Sequence, residues 1–101
     1  MIKFSAIFHK KGNMAYISHL DLMTVIRRSM RRTSLPLVLT EGFTPRVKIS
    51  IPKALKLGNE SMTEEMTIWL GEHVSVEKIK EEMNACLPEG IGIEKITIEH
   101  A

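Results

Sequence analysis

The apolar residues of this chain recur at two spacings, and the order of those spacings restricts the fold more than any other feature of the sequence. Over residues 2–9 they recur at every second position, which is typical of a strand with one buried face. From residue 18 to about residue 33 they recur at intervals of three and four, the period of an amphipathic helix. The chain is therefore predicted to begin with a strand, a turn at residues 10–13 and a helix.

The predicted first helix has a start signal and two different sides. Ser18 can cap its free N–H groups, and Asp21 three residues later completes an acidic capping box. His19 falls on the apolar side, whose other members are Leu20, Leu22, Met23, Ile26 and Met30. The opposite, solvated side carries Arg27, Arg28, Arg31 and Arg32. The helix is thus expected to bury one side and to present cations on the other.

A loop with defined backbone requirements follows the first helix. Residues 37–39 and 47–51 have the composition of two short strand segments, and they flank residues 40–46. Within that loop, Gly42 permits a positive φ and Pro45 stiffens the exit. The sequence therefore predicts two strand segments joined by a shaped loop.

The C-terminal part of the chain repeats the same two spacings. After a basic loop at residues 52–61, alternation over residues 66–71 predicts a strand. A serine-capped helix is predicted over residues 75–87. A last strand is predicted over residues 91–99, with a bulge near residues 94–95 because the apolar phase changes there.

The resulting order of strand, helix, strand, strand, helix, strand is that of the ferredoxin-like split β-α-β sandwich. We therefore predict a single α+β domain over residues 1–101, with an antiparallel sheet, two helices on one face, and the first and third strands at its centre. The name of this fold implies no iron–sulfur cluster. The open face of the sheet is expected to show Lys3, Ser5, Ile7, His9, Thr67 and Trp69.

Charge is distributed unevenly along the chain. Residues 1–58 hold eleven Lys and Arg against two acidic residues, whereas residues 59–101 hold three Lys against ten Glu. Clustered Lys and Arg favour polyanions, because meeting phosphates releases condensed counterions. The candidate phosphate contacts are Arg27, Arg28, Arg31, Arg32, Arg46, Lys48, Lys53 and Lys56. Two alternatives are a merely solvated arginine face, and halves that neutralise each other or self-associate head to tail.

The sequence contains no self-contained catalytic or metal site. The four histidines show no ligand spacing, and no glycine-rich phosphate-binding loop is present. Ser18, His19 and Asp21 include the residue types of a catalytic triad, yet neighbours at a helix start point in different directions. Capping explains Ser18 and Asp21, and His19 is then either buried and hydrogen-bonded or facing a ligand. No catalytic residue, metal or cofactor is assigned.

The cellular compartment is inferred from the length of the apolar runs, from the residues at the start of the chain and from cysteine usage. No apolar run approaches the roughly 20 residues that span a bilayer, and the start of the chain lacks the features of a secretory signal. The single cysteine, Cys86, cannot form an internal disulfide and is interpreted as a small buried hydrophobe. The protein is expected to be cytoplasmic and to have no membrane partner.

Trp69 is the main candidate for contacts on the open sheet face. On an RNA-binding sheet an aromatic residue there would stack a base, but the aromatic-rich strand signature is missing and only Ile7 is expected beside it. Packing against another protein segment is the alternative explanation. Ile7 and Trp69 are therefore assigned to a protein-interaction face.

This chain resembles the bacterial radical-SAM-linked domain of unknown function, in particular its N-terminal part. The resemblance is carried by two segments, AYISHLDLMTVIRRSMRR and LPLVLTEGFTPRVKISIPKALKLG. The resemblance covers about residues 2–98. It carries over as motif positions Ser18, His19, Leu20, Asp21, Leu22, Gly42, Phe43, Pro45, Lys48 and Ser50. Where family members often have a histidine-proline pair, this chain has Arg46-Val47.

The resemblance implies a radical-SAM protein as partner. A radical-SAM cluster needs three closely spaced cysteines and this chain has one, so the catalytic half would be the other protein. The leading hypothesis is a non-catalytic module that recruits RNA for that partner through the basic surface. Alternatively, the chain docks on the partner through its open sheet face, or it completes the partner's active site with His19 and the loop at residues 42–48.

The helix start and the loop are the densest points of resemblance, and they are predicted to lie close in space. The resulting motif pocket would comprise Ser18, His19, Asp21, Gly42, Phe43, Pro45 and Lys48. Arg46 and Lys48 would form its basic rim. The competing expectation is that the loop lies at the far edge, with Phe43 packed into the core.

Overall fold

The fold is an antiparallel sheet of four strands with two helices on one face. A computed structural model describes residues 1–52 and 61–99, with the backbone alone at residues 61–63. The elements are β1 (Ile2–Lys10), a 3-10 helix (Gly12–Tyr16), α1 (His19–Arg31), β2 (Ile49–Ser50), β3 (Ser61–Leu70), α2 (Val76–Cys86) and β4 (Ile91–Ile98). The strand order is β2-β3-β1-β4, so β1 and β3 are central. This arrangement confirms the predicted ferredoxin-like α+β fold.

The hydrophobic core lies between the sheet and the helices. Phe4 pairs with Ile68 and Ala6 pairs with Met66 across β1 and β3, and all four residues are buried. The helices contribute Leu22, Ile26 and Met30 from α1, and Ile79 and Met83 from α2. Because both helices pack on this one face, no described helix covers the other, which is the open face predicted above.

Both predicted serine caps are present. Ser18 Oγ accepts a hydrogen bond from the backbone N–H of Asp21 at 3.1 Å, and Ser75 Oγ accepts one from Lys78 at 3.3 Å. Each cap satisfies one of the N–H groups that a helix start leaves without an intrahelical partner. Neither described helix combines the length and apolar content that a membrane span requires.

Burial differs from the prediction at several positions, among them Leu20 and Lys10. Leu20 is 77% exposed rather than part of the apolar side of α1. Two residues turn through about 200° in a helix, so Leu20 and the buried Leu22 lie on nearly opposite sides. Lys10 belongs to β1 rather than to a turn and is 1% exposed. It is covered because the 3-10 helix follows at once, and its Nζ donates to the Ala15 carbonyl at 3.5 Å.

The segment between α1 and β3 forms a narrow, closed loop. Leu39 and Val47 make an isolated antiparallel bridge, and backbone hydrogen bonds of 2.7 Å join Thr40 N to Arg46 O and Lys48 N to Val38 O. The two predicted strand segments are therefore present, although only β2 is regular enough to count as a strand. The predicted basic loop at residues 52–61 lies almost wholly outside the described residues.

The predicted bulge in β4 is confirmed. Ile7 pairs with Lys95 and Phe8 pairs with Ile93, so Glu94 is the extra residue. His9 fixes this irregularity, because its ring packs so closely on Gly92 that a Cβ there would clash, and its Nδ1 is hydrogen-bonded to Glu94. Residues three apart on a regular strand would face opposite sides of the sheet. Because of the bulge, Ile93 and Ile96 are both buried on the helix-covered face.

Gly90 should tolerate substitution less than Gly42, although both have a positive φ. Gly90 has φ of 98° and a Cβ there would lie 2.7 Å from the Lys11 carbonyl oxygen, whereas Gly42 has φ of 126° with open space around it. Gly90→Ala is expected to lower the free energy of unfolding by about 3 kcal/mol or more, and Gly42→Ala by about 1–2 kcal/mol, in urea denaturation. Equal losses would contradict the proposed steric conflict.

Candidate nucleic-acid interface

The arginine side of α1 contacts the exit of the loop that precedes β2. Arg27 donates a hydrogen bond from Nε to the carbonyl oxygen of the buried Val47, at 3.1 Å. Arg27 is half-buried, whereas Arg28, Arg31 and Arg32 of the predicted solvated side are exposed. This contact fixes the position of the loop exit relative to α1.

A cleft of about 330 Å³ lies beside this contact, and we call it the arginine cleft. Its lining residues are Thr24, Arg27, Arg28, Arg31, Arg46 and Val47. Four of these six side chains carry a positive charge, and none carries a negative one. The sequence predicted the arginines as candidates, but nothing in it indicated that Arg46 would join three residues of α1.

Arg27 and Arg46 repel each other in the arginine cleft. Burial lowers the pKa of Arg27 from its ordinary value, and the positive charge of Arg46 lowers it further. Among the described residues, none of these arginines forms an ion pair with a carboxylate. In the described part of the chain, carboxylates form ion pairs at Glu99 with Lys3 and at Glu82 with Lys78, and Glu94 is hydrogen-bonded to His9. An anion bound in the cleft would relieve the repulsion between its cations.

Arg32 has a different environment from the other arginines of α1. Its Nη2 donates to the carbonyl oxygen of Cys86 at 2.9 Å, which satisfies a free carbonyl at the end of α2. Arg32 also lines a second cleft of about 550 Å³ beside α1. That cleft is lined by Met14, Val25, Arg28, Ser29, Arg31, Arg32 and Pro88. Arg28 and Arg31 therefore reach both clefts.

The helix start supplies a cap and a partly buried histidine. Ser18 caps α1 as described, and Asp21 is exposed. His19 is half-buried rather than buried, and its Nδ1 atom is buried without a hydrogen-bond partner among the described residues. Neither His19 nor Asp21 lines the two clefts described above.

The loop presents its aromatic residue to solvent. Gly42 adopts the predicted positive φ, and Phe43 and Pro45 are both exposed. The competing expectation that Phe43 packs into the core is wrong, because its side chain is fully exposed. A close approach of Phe43 to His19, and with it the shared motif pocket, stays a prediction.

Lys48 lies over Trp69 on the open sheet face. Its Nζ lies 4.9 Å from the centre of the Trp69 ring, and Lys3 Nζ lies 5.9 Å from the same centre. A cation over an aromatic ring is an attractive arrangement, and Trp69 is half-buried beside these two lysines. Lys53 and Lys56, the remaining predicted phosphate contacts, lie outside the described residues.

Ile7 is not the neighbour of Trp69, contrary to the prediction. Trp69 pairs with Lys3, and Ile7 pairs with Glu65, four positions or about 13 Å along the strand. Between them the sheet register aligns four hydroxyl residues across the strands, Ser50, Thr67, Ser5 and Thr97. The sequence could not indicate this row, because cross-strand neighbours depend on register.

The sheet, its two helices and the arginine cleft define a small ferredoxin-like α+β domain with a candidate anion-binding site. The chain belongs to a family described as uncharacterized proteins conserved in bacteria (DUF2344), whose model matches residues 3–100. No curated protein and no solved structure matches the chain. The family description contains nothing on radical-SAM chemistry, so that part of the resemblance stays a prediction.

Removing the Arg46 charge should stabilise the free protein. Arg46→Gln keeps the backbone bonds of the loop and removes a cation that lowers the pKa of Arg27. Below its lowered pKa, Arg27 is charged in the folded and the unfolded state, and the lowered pKa means that this charge destabilises the folded state. We therefore expect Arg46→Gln to raise the free energy of unfolding by on the order of 0.5 kcal/mol, or Tm by about 2–4 °C, at low salt and neutral pH.

The gain should shrink as added salt screens the repulsion. Lys80→Gln is the matched control, since it removes one positive charge from an exposed site on α2 among glutamates. Thermal melting at two salt concentrations checks both variants. A Tm of Arg46→Gln equal to or below that of the wild type at low salt would contradict the proposed repulsion.

Proposed function

We infer that this chain is a non-catalytic RNA-binding module that recruits an RNA substrate for a radical-SAM partner. Arg27, Arg28, Arg31 and Arg46 contact phosphates in this proposal. The surface of the module provides the binding, and the partner provides the chemistry.

The observation that carries the RNA proposal is the arginine cleft. Four arginines share a small concave surface, they have no described carboxylate partner, and one of them has a lowered pKa. Arginine binds phosphate through two parallel N–H donors, which suits it to a nucleic-acid backbone. Because condensed counterions are released on contact, such a cluster gains affinity for a polyanion without needing any base contact.

The partner is proposed from the resemblance of the SHLDL and GFTPRVK segments to the radical-SAM-linked domain. A single cysteine, half-buried at the end of α2, leaves this chain unable to hold a cysteine-ligated cluster by itself. A module with a binding surface and no cluster of its own fits the role of delivering a substrate.

Neutralising two arginines should weaken RNA binding and its salt dependence together. Arg28 and Arg31 are exposed, so Arg28→Gln/Arg31→Gln should fold as the wild type does. We expect the slope of log affinity against log salt to fall in magnitude by about 1.4–1.8, and affinity at 0.1 M salt to fall by about 25-fold or more. Fluorescence anisotropy with bulk tRNA measures both quantities.

The control is Lys80→Gln/Lys95→Gln, which removes the same charge from α2 and from the open sheet face. Its affinity for tRNA should fall much less. Undetectable binding of tRNA to the wild type at low salt, or equal losses in the two double variants, would defeat the proposal that the arginine cleft binds RNA.

A second candidate function is docking on the radical-SAM protein through the open sheet face. It is favoured by Trp69, a half-buried aromatic residue flanked by Lys3 and Lys48 on a face that no described helix covers. Tryptophan surrounded by polar residues is typical of the central contacts of protein interfaces.

Trp69→Ala should reduce co-purification of the radical-SAM partner by at least about tenfold, since a central tryptophan commonly contributes about 2 kcal/mol or more. Tyr16→Ala is the matched control, because Tyr16 is an aromatic residue on the 3-10 helix and is 71% exposed. Co-purification that is unchanged by Trp69→Ala, or reduced equally by both variants, would count against docking through this face.

A further inference from the structure

The loop at residues 40–46 is closed at its base and has an aromatic residue at its centre. Thr40 and Arg46 are joined twice, by Thr40 N to Arg46 O at 2.7 Å and by Arg46 N to Thr40 Oγ1 at 3.1 Å. The bridge between Leu39 and Val47 continues this pairing. Phe43 is the middle residue of the loop, three positions from each end.

The loop leaves the side chain of Phe43 exposed to solvent. Its side chain is fully exposed, although burying a phenylalanine typically yields about 1.5–3 kcal/mol. The bonds at the base of the loop, together with the positive φ of Gly42, fix the backbone on which the ring stands. The ring is therefore presented on an ordered support.

The loop that carries Phe43 also supplies Arg46 to the arginine cleft. Arg46, which lines that cleft, is three residues from Phe43, and a chain of that length spans at most about 11 Å. A flat apolar ring and a set of unpaired cations are thus available to one ligand. A nucleotide matches both, since its phosphate suits the cations and its aromatic base suits the ring.

We propose that Phe43 stacks an unpaired base of the nucleic acid whose phosphates occupy the arginine cleft, so that the preferred ligand is single-stranded RNA. This inference rests on the proposed function and specifies its substrate class. In a duplex the bases are paired and stacked on one another, so their faces cannot reach a side chain at a loop tip. In a single-stranded segment a base can turn outward and stack on an aromatic ring.

The experiment compares a 12-nucleotide single-stranded RNA with the matched duplex, by fluorescence anisotropy at one low salt concentration and across a salt series. Phe43→Ala should weaken single-strand binding by about 5- to 150-fold, the range of base stacking on an aromatic side chain. Duplex binding should change by less than about twofold. The salt slope should stay that of the wild type, since no phosphate contact is lost.

Two further variants separate stacking from simple apolar contact. Phe43→Trp should bind the single strand at least as tightly as the wild type, and in a Trp69→Phe background its fluorescence should be quenched on binding. Phe43→Leu keeps an apolar side chain without a ring face, and it should lose nearly as much affinity as Phe43→Ala. Because Phe43 is fully exposed, all these variants should melt as the wild type does.

Single-strand binding that survives Phe43→Ala, while Arg28→Gln/Arg31→Gln weakens it, would overturn the stacking role and leave the proposed function in place. Equal losses for the duplex and the single strand, or wild-type affinity of Phe43→Leu, would also overturn it. If Phe43→Ala abolishes capture of a protein partner and leaves RNA binding unchanged, the ring inserts into a protein instead. Undetectable binding of either RNA to the wild type would overturn both proposals.

Discussion

The pairing of β1 with β3 and β4 is the constraint on which the other features depend. β1 is central, and its register places Phe4, Ala6 and Phe8 on the face that the helices cover. Because side chains alternate along a strand, a shift of one residue would move all three to the open face. The bulge at Glu94 keeps β4 consistent with this register, since it restores the inward direction of the isoleucines on either side. The two described helices, α1 and α2, pack against the face that this sheet presents.

The direction of the arginines on α1 is a consequence of how that helix packs. Once Leu22, Ile26 and Met30 face the sheet, Arg28 and Arg31 lie on the exposed side of the helix. The negative half of the chain neutralises the positive half only in part. Glu99 reaches Lys3 across the sheet, but no described carboxylate reaches the arginine cleft. The packing of α1 therefore concentrates positive charge beside the loop exit at Val47.

Periodicity sufficed to predict the features that depend on local spacing. The strand and helix order, both serine caps, the bulge near Glu94 and the positive φ of Gly42 all follow from residues close in sequence. The failures are of two kinds, since those at Leu20 and Lys10 depend on residues close in sequence and the others on contacts between distant segments. Lys10 is buried by the 3-10 helix, and the neighbours of Trp69 are lysines on adjacent strands. The arginine cleft likewise requires Arg46 to meet α1, and no local pattern determines that meeting.

Neither of the two features at the candidate interface indicates binding when considered alone. A solvated arginine helix is ordinary, and single exposed apolar residues are common on protein surfaces. Their combination is more specific, because both are attached to ordered backbone, one on α1 and the other on a loop closed between Thr40 and Arg46. A surface that is already ordered loses little conformational entropy on binding, so more of its contact energy appears as affinity. Catalysis would require in addition a nucleophile, an acid or a base aimed into the cleft, and its lining consists of arginines, a threonine and a valine. In the proposed function, these residues hold the phosphate chain and the partner carries out the chemistry.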